Sequence, residues 1–269
     1  MEQRPAQFAD DGAALSCKTR LMTASSSDRP LDGLLALVTG ATRGIGRASA
    51  IGLAEAGAHV IAVGRTQGAL EALDDEILAL TGQRATLVPM DLSKADDIDV
   101  LGGVIHQRWG KLDIMLHAAA QLGNMTPASH LEPKVWDKVV ALNLTTPFRL
   151  IRSLEPLFRK SEAARPIFVT SGIAKTPRAF WSLYASTKAG MDALVTSWAD
   201  ELETTPIRPV LLSPGPMRTK MRAQAFPGED PMTLPDPAEI APLVVELARP
   251  DRNPAAYVEF KAWKAAQAV

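Results

Sequence analysis

The chain has 269 residues, 46% hydrophobic and 22% charged, a composition suited to one large globular core or two small ones. Lys and Arg number 29 against 30 Asp and Glu, a formal charge of −1, so no bulk electrostatic force points to nucleic acid or another polyanion as partner. The single cysteine, Cys17, excludes an intrachain disulfide and a thiolate-rich zinc site. No apolar run reaches the roughly 18–20 residues that span a bilayer, and MEQRPAQFADDG lacks the pattern of a signal peptide, so the expectation is a cytoplasmic protein with no membrane partner.

Residues 1–30, with the Ser-rich TASSSDRP at 23–30, read as a flexible N-terminal tail, and Met22 as an alternative start. Residues 31–269 read as one domain. Apolar, β-rich runs at 34–39, 59–63, 85–89, 112–117, 166–170, 207–212 and 255–260 predict seven strands. Helical spacing fills 44–57, 67–80, much of 94–108, 131–158, 181–203 and 238–248. The long helix over 131–158 is expected to be interrupted near Pro147, which has no amide to donate. Continuous rather than alternating strands indicate a parallel sheet covered on both faces. The fold class is therefore α/β: a single-domain, doubly wound parallel sheet of seven strands, with its site at the carboxyl ends of the strands.

Thr39-Gly40-Ala41-Thr42-Arg43-Gly44-Ile45-Gly46 joins the first strand to the first helix. Gly40 permits a tight turn, Gly44 lets backbone approach a pyrophosphate, and Gly46 lets the helix lie close to the sheet, with the helix amino end favouring negative charge. Gly40, Thr42, Arg43, Gly44, Ile45 and Gly46 are thus candidate cofactor contacts, although such a cluster also suits an ordinary turn. Sites for NAD place a carboxylate at the end of the second strand. Here Val63-Gly64-Arg65-Thr66 has none, and Arg65 suits a 2′-phosphate, with Arg43 closing on the same group and Thr66 beside it. This predicts NADP(H) over NAD(H); the alternative for Arg65 is a solvated surface side chain. Asp91-Leu92, after the third strand, either meets the adenine edge or caps the next helix through Asp91.

Tyr184 and Lys188 in YASTK lie one turn apart on the 181–203 helix, near the edge of an apolar stripe. A cation there is expected to lower the pKa of the phenol, so that it can exchange a proton with a carbonyl or alcohol oxygen near neutral pH. Taken alone, a packed tyrosine and a snorkelling lysine fit as well.

In combination, these motifs resemble the short-chain dehydrogenase/reductase family over roughly residues 33–250. The family's glycine motif matches 39–46, and its tyrosine and lysine match Tyr184 and Lys188. Its serine matches Ser171, 13 residues before the tyrosine, and its asparagine matches Asn143 in VVALNLTTPF. Its Pro-Gly matches Pro214-Gly215, and its nicotinamide-contacting threonine matches Thr219. PGPMRTKMRAQAFPGEDP further resembles a largely uncharacterised bacterial, NADP-linked subgroup. Two places depart from the pattern. The usual Asn-Asn-Ala-Gly is His117-Ala118-Ala119-Ala120, where Ala118 and Ala119 take the cofactor-floor positions and His117 reads as a packed strand-end histidine; and the usual Gly-Gly after the last strand is absent.

The resemblance implies hydride transfer between NADP(H) and a small-molecule carbonyl or alcohol. Tyr184 would be the general acid/base and Ser171 a donor to the reacting oxygen. Lys188 would act on the tyrosine and the nicotinamide ribose, and Asn143 would hold a water linking Lys188 to solvent. It also implies a homodimer or homotetramer, to which Trp198 either contributes or belongs as core. Residues 216–236 read as a substrate lid with an apolar inner side of Met217, Met221, Phe226, Met232 and Leu234, facing Ile173, Pro177, Phe180 and Trp181. The alternative function is a catalytically silent, NADP(H)-binding regulatory or scaffold protein. Histidines at 59, 106, 117 and 130 show no ligand spacing, so no metal is expected.

Overall fold

The structure, a computed structural model, describes residues 29–267. The expected tail, Met22 and Cys17 lie outside the described residues, apart from positions 29 and 30. Seven strands form one sheet: β1 (Leu35–Thr39), β2 (His59–Gly64), β3 (Thr86–Pro89), β4 (Ile114–His117), β5 (Arg165–Val169), β6 (Val210–Ser213) and β7 (Tyr257–Glu259). The spatial order is β3-β2-β1-β4-β5-β6-β7, every neighbouring pair parallel. The order reverses between β1 and β4, and a crevice opens there at the strands' carboxyl ends.

Side chains along a strand point alternately to opposite faces, and the core divides accordingly. Ala36, Val38, Val60, Ala62, Leu116 and Ile167 face one buried layer, with Ala50 and Leu53 of α1 (Gly44–Glu55), Leu70, Leu73 and Ile77 of α2 (Gln67–Thr81), and Leu243 and Leu247 of the later helix Ala241–Ala248. Leu35, Leu37, Ile61, Met115 and Phe168 face the other, with Ile98 and Ile105 of α3 (Ala95–Trp109), and with the helices that follow β4 and β5. Continuous apolar runs are what a strand needs when both of its faces are covered.

The long helix expected after β4 is divided. α4 (Pro133–Val140) and α5 (Thr146–Phe158) are joined by a π turn, Ala141–Thr145. Pro147 has no N–H to give the Asn143 carbonyl, as an unbroken α-helix would require, so the irregularity falls one turn before the proline. α6 (Ser182–Glu201) follows β5, and a short α7 (Lys220–Ala225) lies within the expected lid. α8 (Ala241–Ala248) is preceded by a 3₁₀ turn at Pro237–Ile240. The last predicted strand is shorter than expected, because α9 (Phe260–Ala266) begins at Phe260, whose ring is buried and stacks on Trp263. Trp198, 3% exposed, packs against Phe158 and Phe168 and so is core rather than surface. Among the described residues, no helix is long and apolar enough to cross a membrane.

Candidate active site

A cavity of about 1250 Å³ opens at the β1/β4 crevice. Its floor is the glycine loop. Gly40 has φ +67°, and a Cβ there would lie 2.9 Å from the Ala119 amide nitrogen, so turn and floor approach too closely for any side chain. Gly46 is below the cavity surface; a Cβ on it would come within 2.3 Å of the Gly40 carbonyl oxygen. Gly44, at φ +53°, faces Thr219, whose methyl would sit 3.4 Å from a Cβ. Thr219 also caps α7, accepting the Arg222 N–H at 3.2 Å, so the lid is seated directly over the loop. Thr42 and Ile45 line the same cavity, and Thr42 occupies space left by Gly64 at the end of β2.

Arg43, Arg65 and Thr66 line the cavity at the β2 end. So do Asp91 and Leu92. Asp91 is not the cap of α3, which is Lys94; its carboxylate accepts the Ser93 N–H at 3.1 Å and the Ser93 hydroxyl at 2.8 Å. Burial opposes its charge, but the Ser93 bonds and then the nearby Arg65 and Lys94 outweigh burial and hold it below the usual carboxylate range. A cradle of backbone N–H groups at a helix start, closed by two guanidinium groups and with no carboxylate at the β2 end, fits a phosphorylated dinucleotide.

The other end of the cavity gathers Ser171, Tyr184 and Lys188, with Ala118, Ala119, Pro214, Gly215 and Thr219 around them. Ser171 leaves β5 in extended conformation and starts a 3₁₀ turn, Gly172–Ala174, accepting the Ile173 N–H at 3.4 Å. Tyr184 and Lys188 occupy the first two turns of α6, 8% and 2% exposed. Lys188 Nζ donates to the Val169 carbonyl at 2.7 Å and lies 6.0 Å from the Tyr184 ring centre. Burial lowers the lysine to about 8, with Asp192 acting against it. Against the expectation of a lowered tyrosine pKa, burial pushes the Tyr184 phenol up, because taking a phenolate out of water is costly, and the Lys188 ammonium is bonded to the Val169 carbonyl.

Asn143 does not reach the cavity. It is fully buried in the π turn, where its Oδ1 accepts the Gln121 N–H at 2.9 Å. Its Nδ2 donates to the Gln121 carbonyl at 2.8 Å and to Thr187 Oγ1 at 3.1 Å. Its side chain therefore clamps the β4–α4 loop to α6, and of Asn143, Gln121 and Thr187 only Gln121 lines the cavity. His117 is packed as expected: 1% exposed, with Nδ1 2.9 Å from Thr39 Oγ1. Burial, and then the charge of Lys188, lower it to about 3, so the ring is neutral. Phe180 is the one described non-glycine residue with positive φ, +70°, so Ala120 avoids the left-handed region that its glycine counterpart would permit.

The lid and facing wall meet through aromatic rings. Phe226 lies 5.7 Å from Trp181, and Trp181 meets Tyr184 edge-on at 6.2 Å. Arg222 covers Phe226 at 3.7 Å and pairs with Glu229 through two hydrogen bonds of 2.5 and 2.6 Å; Arg218 pairs with Asp236. Met217, Met221, Phe226, Ile173 and Trp181 line the cavity as expected. Met232, Leu234, Pro177 and Phe180 are not in its lining; Met232 and Phe180 instead face solvent. The pattern of apolar residues marked the segment but not which side each one faces. Arg178 and Gln121, which sequence spacing did not single out, join the lining.

Comparison with known proteins agrees with this geometry. The profile of the short chain dehydrogenase family matches residues 34–230. The uncharacterised oxidoreductase YciK of Escherichia coli K12 is 36% identical over 223 residues, covering 82% of this chain and 88% of its own. A solved structure from Shigella flexneri 2a strain 301, complexed with NADP, is 34% identical with a TM-score of 0.82, covering 86% of this chain and 98% of the other. Another, from Escherichia coli CFT073 and complexed with NADPH, is 36% identical with a TM-score of 0.80, covering 82% and 93%. With the glycine loop, the switch-point cavity and these likenesses in agreement, the chain belongs to the short-chain dehydrogenase/reductase family of oxidoreductases.

Proposed function

We propose that the chain transfers hydride between NADP(H) and a small-molecule carbonyl or alcohol, with Tyr184 as the proton donor and acceptor. The observation that carries this reading is the convergence of Ser171, Tyr184 and Lys188 in one cavity with the glycine loop. Gly40, Thr42, Arg43, Gly44 and Ile45 would hold the pyrophosphate side of the cofactor. Arg43 and Arg65 would take the 2′-phosphate, which favours NADP(H) over NAD(H). Asp91 and Leu92 would face the adenine, and Ala118, Ala119, Pro214, Gly215 and Thr219 the nicotinamide end. When bound, the cofactor supplies the hydride donor or acceptor.

The protein's own part is proton transfer and orientation. A phenol kept protonated by burial is ready to donate to the oxygen of a carbonyl being reduced. The Ser171 hydroxyl donates a second hydrogen bond to that oxygen, stabilising charge where it develops. In the oxidative direction Tyr184 must first release its proton, and the Lys188 ammonium stabilises the phenolate. Asn143 contributes by clamping Gln121 and Thr187. The Trp181–Phe226 wall favours a substrate with an apolar body. Trp136 and Phe148, exposed on α4 and α5, support self-association into a homodimer or homotetramer, which light scattering tests.

The test is NADPH consumption with a panel of aldehydes and ketones. Tyr184→Phe should lose about a hundredfold or more in kcat while NADPH still binds, since acid catalysis contributes on that scale. NADPH binding without turnover of any panel member, or full activity in the Phe variant, would refute the assignment.

A further inference from the structure

One side-chain bond joins the two elements of this site and has no part in the chemistry above. Asp192 lies one turn beyond Lys188 on α6 and is half-buried. Its Oδ1 accepts the Thr170 hydroxyl at 2.5 Å. Thr170 is 2% exposed, immediately precedes Ser171, and gives its N–H to the Leu212 carbonyl of β6 at 2.8 Å. The hydroxyl of a residue fixed in the sheet thus reaches across to the helix that carries Tyr184 and Lys188. A carboxylate in such a half-buried position is retained only where hydrogen bonds and opposite charge compensate it.

We propose that Asp192 is a positioning residue for this site. It clamps the β5 end that leads into Ser171 to the helix turn after Lys188, and it gives countercharge to a lysine whose nearest acceptor is a neutral carbonyl. The inference rests on the hydride-transfer reading for its consequence in catalysis, but not for the electrostatic link itself.

The groups around the pair are few. Lys188 is faced by Tyr184 on its own helix, by the Val169 carbonyl from β5, and by the neutral His117 from β4. Asp192 is faced by Thr170, by Lys188 and by Lys175 from the loop after β5, whose ammonium lies over the Tyr257 ring of β7 at 3.0 Å. Burial pulls Lys188 down and Asp192 is the charge that opposes it; burial in turn pushes Asp192 up, against the Thr170 bond and then the two lysines. Removing the negative charge therefore makes Lys188 lose its proton at lower pH.

The experiment is a ¹⁵N NMR titration of the Lys188 ammonium in the wild type, Asp192→Asn, Asp192→Glu and Thr170→Val. It is run beside the pH profile of NADPH-dependent carbonyl reduction and thermal melts. Asp192→Asn keeps an oxygen for the Thr170 hydroxyl but no charge. It should move the Lys188 titration, and the alkaline limb of kcat/KM, to lower pH by about one unit, with NADPH affinity unchanged. Asp192→Glu keeps the charge and should titrate like the wild type. Thr170→Val should leave the Lys188 titration in place and lower kcat. An unmoved titration in Asp192→Asn, or a fall in Asp192→Glu, would overturn the inference. A shifted titration in a protein whose wild type turns over no carbonyl would uphold the Asp192 link and reject the hydride-transfer reading instead.

Discussion

Replacing Gly46 by alanine puts a methyl group where the glycine loop already lies. Its Cβ would be 2.3 Å from the Gly40 carbonyl oxygen, 2.8 Å from the Gly40 carbonyl carbon and 3.2 Å from the Thr39 carbonyl oxygen. All three are backbone atoms, so no rotamer change relieves the contact. A carbon–oxygen contact settles near about 3.3 Å, so the loop or α1 must shift by about 1 Å. Overpacking of this kind costs about 1–3 kcal/mol. In a chain of this size each kcal/mol lowers Tm by about 2–4 °C, which gives a fall of about 2–12 °C. Gly44→Ala is the control. There the nearest atom is the Thr219 methyl at 3.4 Å, an ordinary contact, and only the positive φ of +53° is penalised. That costs about 1–2 kcal/mol. Because its short contacts are all with backbone and reach 2.3 Å, the Gly46 variant should fall at the upper end of its range and melt at or below the Gly44 variant. It should also weaken NADPH binding by about tenfold, as a loss of about 1.4 kcal/mol would. Differential scanning fluorimetry and NADPH fluorescence titration measure both. A Gly46→Ala protein that melts and binds NADPH like the wild type would refute the claim that close approach of loop and helix sets this position.

Arg65→Ala should raise the Kd for NADPH about tenfold or more and leave that for NADH nearly unchanged, because a charge-assisted phosphate contact contributes about 1.5–3 kcal/mol; calorimetry with both cofactors decides this. His117→Asn should flatten the acid limb of stability. Folded His117 is held at about 3 by burial and then by Lys188, whereas an unfolded histidine titrates near 6.5. Between those values the unfolded chain binds the extra proton, so this residue's effect on stability is nil above about 6.5 and grows more unfavourable as pH falls, by up to about 1.4 kcal/mol per pH unit. Urea melts at about pH 7 and about pH 5 should show the larger loss in the wild type; equal losses would reject a buried neutral imidazole.

Features encoded by local pattern were legible in the sequence. Ala36 and Val38 on one face of β1, with Leu35 and Leu37 on the other, show why a continuous apolar run marks a strand covered on both sides. The glycine loop was equally readable, since a tight turn and a close approach restrict which residues fit. Features set by partners distant in sequence were not. Asn143 binds Gln121 and Thr187, 22 and 44 residues away, and no local spacing encodes that clamp. For the Tyr184 phenol, spacing shows that a cation is one turn away, but not how deeply both groups are buried or that the ammonium is bound to Val169. The strand expected over 255–260 takes in Phe260 because AAYVEF is largely apolar, and α9 has no counterpart among the expected helices; the change to helix comes at Phe260, whose burial against the α8 layer decides it.

The His-Ala-Ala-Ala segment shows how a departure from a family pattern is accommodated at the end of β4. Thr39 Oγ1 accepts the Ala119 N–H at 3.3 Å and meets His117 Nδ1 at 2.9 Å. His117 Nε2 is buried with no partner among the described residues. If the hydroxyl gave its hydrogen to Nδ1, the imidazole proton would sit on Nε2 as a stranded donor. If Nδ1 carries the proton and donates to Oγ1, Nε2 keeps only a lone pair, but the buried Thr39 hydroxyl hydrogen then has no acceptor among the described residues, so each neutral tautomer strands one donor. A protonated imidazole would also strand an N–H at Nε2 beside the Lys188 charge that already opposes it. The histidine thus occupies the strand end as a neutral, sheet-anchored ring. It braces Thr39 and the floor at Ala119, so the exchange alters how the floor is held without adding the charge of the imidazole to that of Lys188.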